Sequence, residues 1–206
     1  MHSTTLKTGR RLRYSLYAMT ALSLFVGLAS VRFLFLDLAV AAPGLAAHAP
    51  ERLLSFYLHV GGATVALMLG PLQFFGSIRR RFLMIHRLIG GGYVVACLVG
   101  GMYGIYIGYY SPNGPVAAAG FMTLGVLWII TTGRGFTKVL AGQFTAHRRW
   151  MIRSFALTFA AVTLRIYLPP LFAMDLDPVT IFSLVAWVSW IPNLVFAEQV
   201  FVKQTD

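Results

Sequence analysis

The sequence predicts an all-α bundle of six membrane-spanning helices, and three observations carry that reading. Hydrophobic residues make up 58% of the 206 positions and charged residues only 11%, with a mean hydropathy of +0.73. A soluble domain averages about 25% charged and 45–50% apolar residues, so the composition excludes a soluble enzyme, a disordered chain and a secreted disulfide scaffold. The apolar residues fall into six stretches long enough to cross a bilayer, for which about 20 are needed. The basic residues gather at alternate loops.

The six stretches are read at about 14–41, 53–75, 88–110, 115–133, 151–172 and 179–201. They leave only short loops, so the chain is expected to form a single transmembrane domain over residues 1–206. The first stretch contains Arg32 and Asp37, and Ala39-Val40-Ala41 resembles a signal-peptidase site. At about 25 residues it exceeds the 7–15 of a signal-peptide core, and it is expected to be retained as a helix. Ala49-Pro50 precedes the second stretch, and Ser111-Pro112-Asn113-Gly114 reads as a tight turn between the third and fourth. Pro169-Pro170 is expected to close the fifth. Pro71 and Pro192 are expected to bend their helices and free carbonyls that need local partners.

Orientation follows from the 17 Lys and Arg against 6 Asp and Glu. Fourteen lie on one side: Lys7, Arg10, Arg11, Arg13, Arg79, Arg80, Arg81, Arg87, Arg134, Lys138, Arg148, Arg149, Arg153 and Lys203. By the positive-inside rule both termini are expected in the cytoplasm, with the basic rim against anionic lipid headgroups. The net charge of +11 is thus a topology signal, and nucleic acid is not an expected partner. Compactness and this asymmetry suit a bacterial inner membrane.

Small residues recur every fourth position in the third stretch (Gly92, Ala96, Gly100, Gly104, Gly108) and in the second (Gly62, Ala66, Gly70). Each series forms a smooth ridge on one helix face. Lipid supplies no hydrophobic drive between helices, so close backbone approach must hold them together. A packed central hairpin is expected, although the ridge suits a second copy or a membrane complex equally well. The second and fourth stretches each lead to a basic loop and a histidine (His86-Arg87; His147-Arg148-Arg149), a weak internal repeat.

Ionisable groups in a bilayer are expensive and usually face the bundle interior. An inner layer holds His86, Arg87, His147, Arg148, Arg149, Arg153 and Glu198. His86 and His147 open two helices that run in the same direction, so they are expected at similar depth. Two imidazoles across a bundle serve as axial ligands of haem b, bind a metal, relay a proton, or simply meet headgroups and carbonyls; the residues alone leave these open. Arg87, Arg149 and Arg153 would hold haem propionates or headgroups, and Glu198 is expected to pair with Arg153 or Arg87. On the fifth helix His147, Ser154, Thr158 and Arg165 share one face to within about 20° over about 27 Å. Such a stripe is expected to line a polar cavity or to bond neighbouring helices, with Glu198 at its inner end. Arg165 and His59 are assigned to a separate outer polar site, Arg165 suiting a carboxylate or a quinone carbonyl. Trp187 and Trp190 read as interfacial belt or packing.

No Walker loop, nucleophile elbow, His-Glu-x-x-His or paired cysteine motif is present, and Cys97 is the lone cysteine. The segments His59-Val60-Gly61-Gly62, Leu69-Gly70-Pro71-Leu72-Gln73-Phe74, His86-Arg87-Leu88-Ile89-Gly90, Ala146 to Ser154, Val162 to Pro169, Trp190-Ile191-Pro192-Asn193 and Glu198 resemble the prokaryotic membrane-protein family catalogued as domain of unknown function 2306. That resemblance covers roughly residues 50–200 and implies a membrane protein without naming an activity. The His86-Arg87-Leu88-Ile89-Gly90 helix start is also similar to those of cytochrome b561-like proteins, which implies haem b. Those proteins carry two bis-histidine layers, and this chain offers at most one, for which only His86 and His147 qualify. Two functions therefore stand side by side: a redox-associated protein with one haem b or quinone site between the third and fifth helices, and a non-enzymatic accessory subunit or small-molecule carrier.

Overall fold

A computed structural model describes residues 2–36 and 52–203, with side chains from residue 13 onward. Among the described residues all regular structure is helical. Six helical spans are long and apolar enough to cross a membrane: Arg13–Phe35, Leu53–Phe74, Leu83–Tyr109, Gly114–Leu140, Phe144–Ala173 and Pro178–Val202. The chain is an all-α membrane protein. Asp37, Ala39 to Ala41, His48 and Ala49-Pro50 lie outside the described residues.

Span 1 belongs to helix α1 (His2–Phe35). Span 2 is α2 (Leu53–Leu69) followed by a 3-10 turn over Pro71–Phe74. The short helix α3 (Gly76–Arg81) leads into α4 (Leu83–Tyr109), which is span 3, and α5 (Gly114–Leu140) is span 4. Span 5 joins α6 (Phe144–Thr158) to α7 (Ala160–Ala173) through one tightened turn at Phe159. Span 6 joins α8 (Pro178–Val188), α9 (Ile191–Ala197) and a π-helical turn over Glu198–Val202.

Spans 3, 4 and 5 run farther into the basic region than hydropathy predicts. Arginine and lysine are good helix formers whose long stems snorkel to water, so charge ends a hydropathy window without ending the helix. A second correction concerns Pro169-Pro170, which lie inside α7 rather than at its end. Pro71 and Pro192 do interrupt their spans: the first opens the 3-10 turn and the second opens α9. Beside the break before α9, the carbonyl of Ser189 accepts from Thr163 Oγ1 and, at 3.0 Å, from Asn193 Nδ2. Spans 5 and 6 are thereby joined where the sixth helix is irregular.

The glycine ridges meet as expected. A Cβ added at Gly62 would lie 2.8 Å from the backbone oxygen of Ala96 and the nitrogen of Gly100. Span 3 also packs on span 4 through glycines filled by side chains, since a Cβ at Gly101 would lie 2.8 Å from the Ile129 side chain and one at Gly125 would lie 2.7 Å from that of Ile105. Gly120 sits against Ala186 of span 6 and Gly135 against Met151 of span 5. Span 5 is the hub. It packs on spans 1, 2, 4 and 6, and Tyr93 of span 3 bonds to it directly.

Asp177 caps α8 by accepting from the Thr180 backbone N–H at 3.0 Å. Hydrogen bonding by Thr180 holds its carboxyl below the usual range. A depressed carboxylate stabilises the fold above its ordinary pKa of about 3.9, and that contribution disappears as pH falls through the folded value. Asp177→Ala is therefore expected to lower the thermal midpoint slightly at neutral pH. The difference from wild type should vanish in strong acid, as checked by paired melting curves.

Candidate functional site at the inner ends of spans 3 and 5

His86 and His147 are each the fourth residue of their helices, α4 and α6. Their backbone N–H groups bond the carbonyls of the residues before those helices, Phe82 and Gln143, at 3.0 and 2.8 Å. The two imidazoles are close enough for their charges to act on one another. His147 Nδ1 lies 2.8 Å from the Gly135 carbonyl of span 4. A carbonyl only accepts, so Nδ1 carries a proton, and in the neutral imidazole Nε2 keeps its lone pair. Metal-ligating histidines are commonly oriented this way by a backbone carbonyl. His86 Nδ1 is buried without a hydrogen-bond partner.

The cationic rim divides. Arg153 binds both carboxylate oxygens of Glu198, through Nε and, at 3.0 Å, through Nη2, and lies 4.6 Å from the Trp150 ring. Arg153 is thus engaged with span 6. Glu198 belongs to that interfacial pair rather than to a polar cavity. Arg87 is exposed and Arg149 is half-buried. An open hollow of about 490 Å³ lies over the turn before α6, lined by residues including Gln143, Thr145 and Arg149.

The middle of the fifth-helix stripe is filled. Ser154 is 0% exposed and Thr158 5%, so neither lines a cavity. Their hydroxyls meet Tyr93 Oη at 2.8 and 2.9 Å, Thr132 lies 2.6 Å from Ser154, and Trp128 Nε1 donates to Thr158 at 2.9 Å. Thr158 donates to the Ser154 carbonyl at 3.0 Å, which assigns the remaining protons. Tyr93 must donate to Thr158, Ser154 to Tyr93 and Thr132 to Ser154, and every donor is satisfied. Tyr93 and Ser154 each lie seven residues after a histidine, so this network seals spans 3 and 5 together two turns above the histidine pair.

The outer residues form a second group. His59 Nδ1 donates to the Gly100 carbonyl at 2.8 Å, and its ring fills the space a Cβ would need at Gly104. Arg165 donates to the Ala161 carbonyl at 2.8 Å and to Ser30 Oγ at 2.9 Å, tying span 5 to span 1. Arg165 lies within electrostatic reach of His59 and of Arg32. Arg32 is exposed, with its guanidinium 4.8 Å from the Phe33 ring.

A family of predicted membrane proteins (DUF2306) matches residues 56–201. The chain belongs to this family. No curated protein and no solved structure matches it. In this DUF2306 protein several segments that carried the resemblance come together in space: Gln73 meets Gly90, Asn193 meets Thr163, and Arg153 meets Glu198, while Gly62 and Gly70 meet Gly100, Phe155 and Tyr93 outside those segments. Sequence reasoning missed Tyr93, Trp128 and Thr132, the partners of the stripe. A signal for Tyr93 existed, its seven-residue spacing from His86. Nothing marked Trp128 or Thr132, because their role depends on how span 4 is rotated.

Proposed function

We propose that the inner ends of spans 3 and 5 form a redox-ligand site, with one haem b or quinone held between His86 and His147. The observation that carries this reading is the histidine pair: matched helix positions, imidazoles within electrostatic reach of one another, and a His147 ring whose Nδ1 is turned to the Gly135 carbonyl. Haem b, when bound, would supply one-electron chemistry, with His86 and His147 as its ligands and Arg87 and Arg149 toward its propionates. The buried Tyr93–Ser154 hydrogen bond, two turns beyond the histidines, supports a ligand held at their level. The basic distribution supports a bacterial inner membrane with both termini in the cytoplasm, the rim against anionic headgroups and the six spans acting as one domain.

The second reading is a non-enzymatic accessory subunit of a membrane complex. It is favoured by the packed middle of the bundle, where the stripe hydroxyls bond neighbouring helices.

Dithionite-reduced minus oxidised spectra of the detergent-purified protein separate haem from the rest. Soret and α bands in the wild type, lost in both His86→Ala and His147→Ala, are expected for a haem site. No band after expression with ample haem, and no quinone bound, would leave the accessory-subunit reading.

A further inference from the structure

Gln73 stands in the 3-10 turn that Pro71 opens at the inner end of span 2. Its amide lies over span 3, where a Cβ added at Gly90 would sit 3.2 Å from Oε1. Gly90 is one helical turn beyond His86 on the same face. The next residue, Phe74, packs edge-on against Phe155 of span 5 with ring centroids 5.4 Å apart, and Phe155 also covers Gly70. The amide is therefore held over the opening of span 3 by apolar neighbours. Yet Gln73 Nε2 is buried without a hydrogen-bond partner, as is His86 Nδ1. Buried polar groups are nearly always paired, and an orphan marks a missing partner. One orphan stands beside Gly90, the residue one turn beyond the other, and this points to one missing partner.

The chemistry of the pair restricts what that partner is. An amide nitrogen only donates, so the partner must accept. The amide carries no charge and its nitrogen is buried, whereas an anion would be drawn to the exposed arginines of the rim. A haem iron would occupy imidazole nitrogens and give Gln73 nothing. An uncharged, flat, membrane-soluble carbonyl compound meets every condition, since its oxygen accepts in-plane donors and its tail stays in lipid. We infer that Gln73 is a ligand-contact residue of the site proposed above, and that the ligand is a quinone headgroup held through its carbonyl. The inference rests on that redox-site reading and narrows it to one class of compound.

The test is equilibrium binding of a decyl-substituted benzoquinone to the full chain in phosphatidylcholine nanodiscs. One saturable site is expected in the wild type. Loss of one hydrogen bond of about 1.4 kcal/mol corresponds to a tenfold change in Kd, so Gln73→Leu and His86→Ala should each weaken binding about tenfold. Gly90→Ala, whose methyl pushes the amide, should weaken it by a smaller factor, about threefold, and it carries the test if Gln73→Leu fails to fold. Gly91→Ala, where a Cβ meets nothing within 4 Å, should bind as wild type. Wild-type affinity in Gln73→Leu and Gly90→Ala, with loss only in His86→Ala, would overturn the role of Gln73 and leave the redox site standing. A haem band without quinone binding would do the same. Neither ligand in the wild type would overturn both, and a water molecule would then be the partner of the two orphans.

Discussion

Gly62→Ala is expected to destabilise the protein by about 2–3 kcal/mol, the upper end of what overpacking a well-filled contact costs. Its new methyl would lie 2.8–2.9 Å from backbone atoms of Ala96 and Gly100. A flexible side chain could swing aside, but backbone on a neighbouring membrane helix cannot without parting the two spans. The same substitution at Gly91 or Gly133 meets nothing within 4 Å. There the result should be neutral or slightly stabilising, because alanine is the better helix former by about 1 kcal/mol in water. Thermal unfolding of the three purified variants in one detergent checks the contrast. Equal melting points for Gly62→Ala and Gly91→Ala would mean that the hairpin of spans 2 and 3 is not packed backbone to backbone.

Tyr93 supplies the second large effect, and two substitutions separate its two roles. Tyr93→Phe removes one hydroxyl from the buried network. Ser154 still accepts from Thr132 and Thr158 from Trp128, and only the proton that Ser154 gave to Tyr93 loses its acceptor. Interhelical hydrogen bonds in membranes average about 0.6 kcal/mol with a maximum near 1.7, and a loss of about 1 kcal/mol is expected. Tyr93→Ala also empties a fully buried ring site, for which about 3–5 kcal/mol is typical of an aromatic residue. Denaturation in mixed micelles should thus show a small shift for the first variant and a loss at least three times larger for the second. If the phenylalanine variant lost as much as the alanine one, hydrogen bonding rather than packing would hold spans 3 and 5 together.

Much of the architecture was legible in residue order because membrane solvation acts on each segment separately. Any stretch of about 20 apolar residues must become a helix to satisfy its own backbone, whatever the rest of the chain does. The glycine spacing of spans 2 and 3 could be read for the same reason, since a four-residue repeat is a property of one helix. Helix ends were less legible. At Leu83 and Phe144 the helices begin ahead of His86-Arg87 and His147-Arg148-Arg149, because arginine stems let a helix extend into the interface. At Pro169-Pro170 the helix continues through residues that usually stop one.

The site divides along the same line. Residue order put His86 and His147 at one depth, because each opens an inner helix end. It also put Glu198 within reach of Arg153 or Arg87. Choosing Arg153, turning His147 toward Gly135, placing the Gln73 amide over Gly90 and closing Ser154 and Thr158 beneath Tyr93 all required knowing how each helix is rotated against its neighbours. Composition and periodicity by themselves determined the membrane class, the six spans and the packed glycine hairpin. Only tertiary packing decided which polar group meets which, since every such contact joins residues of different helices.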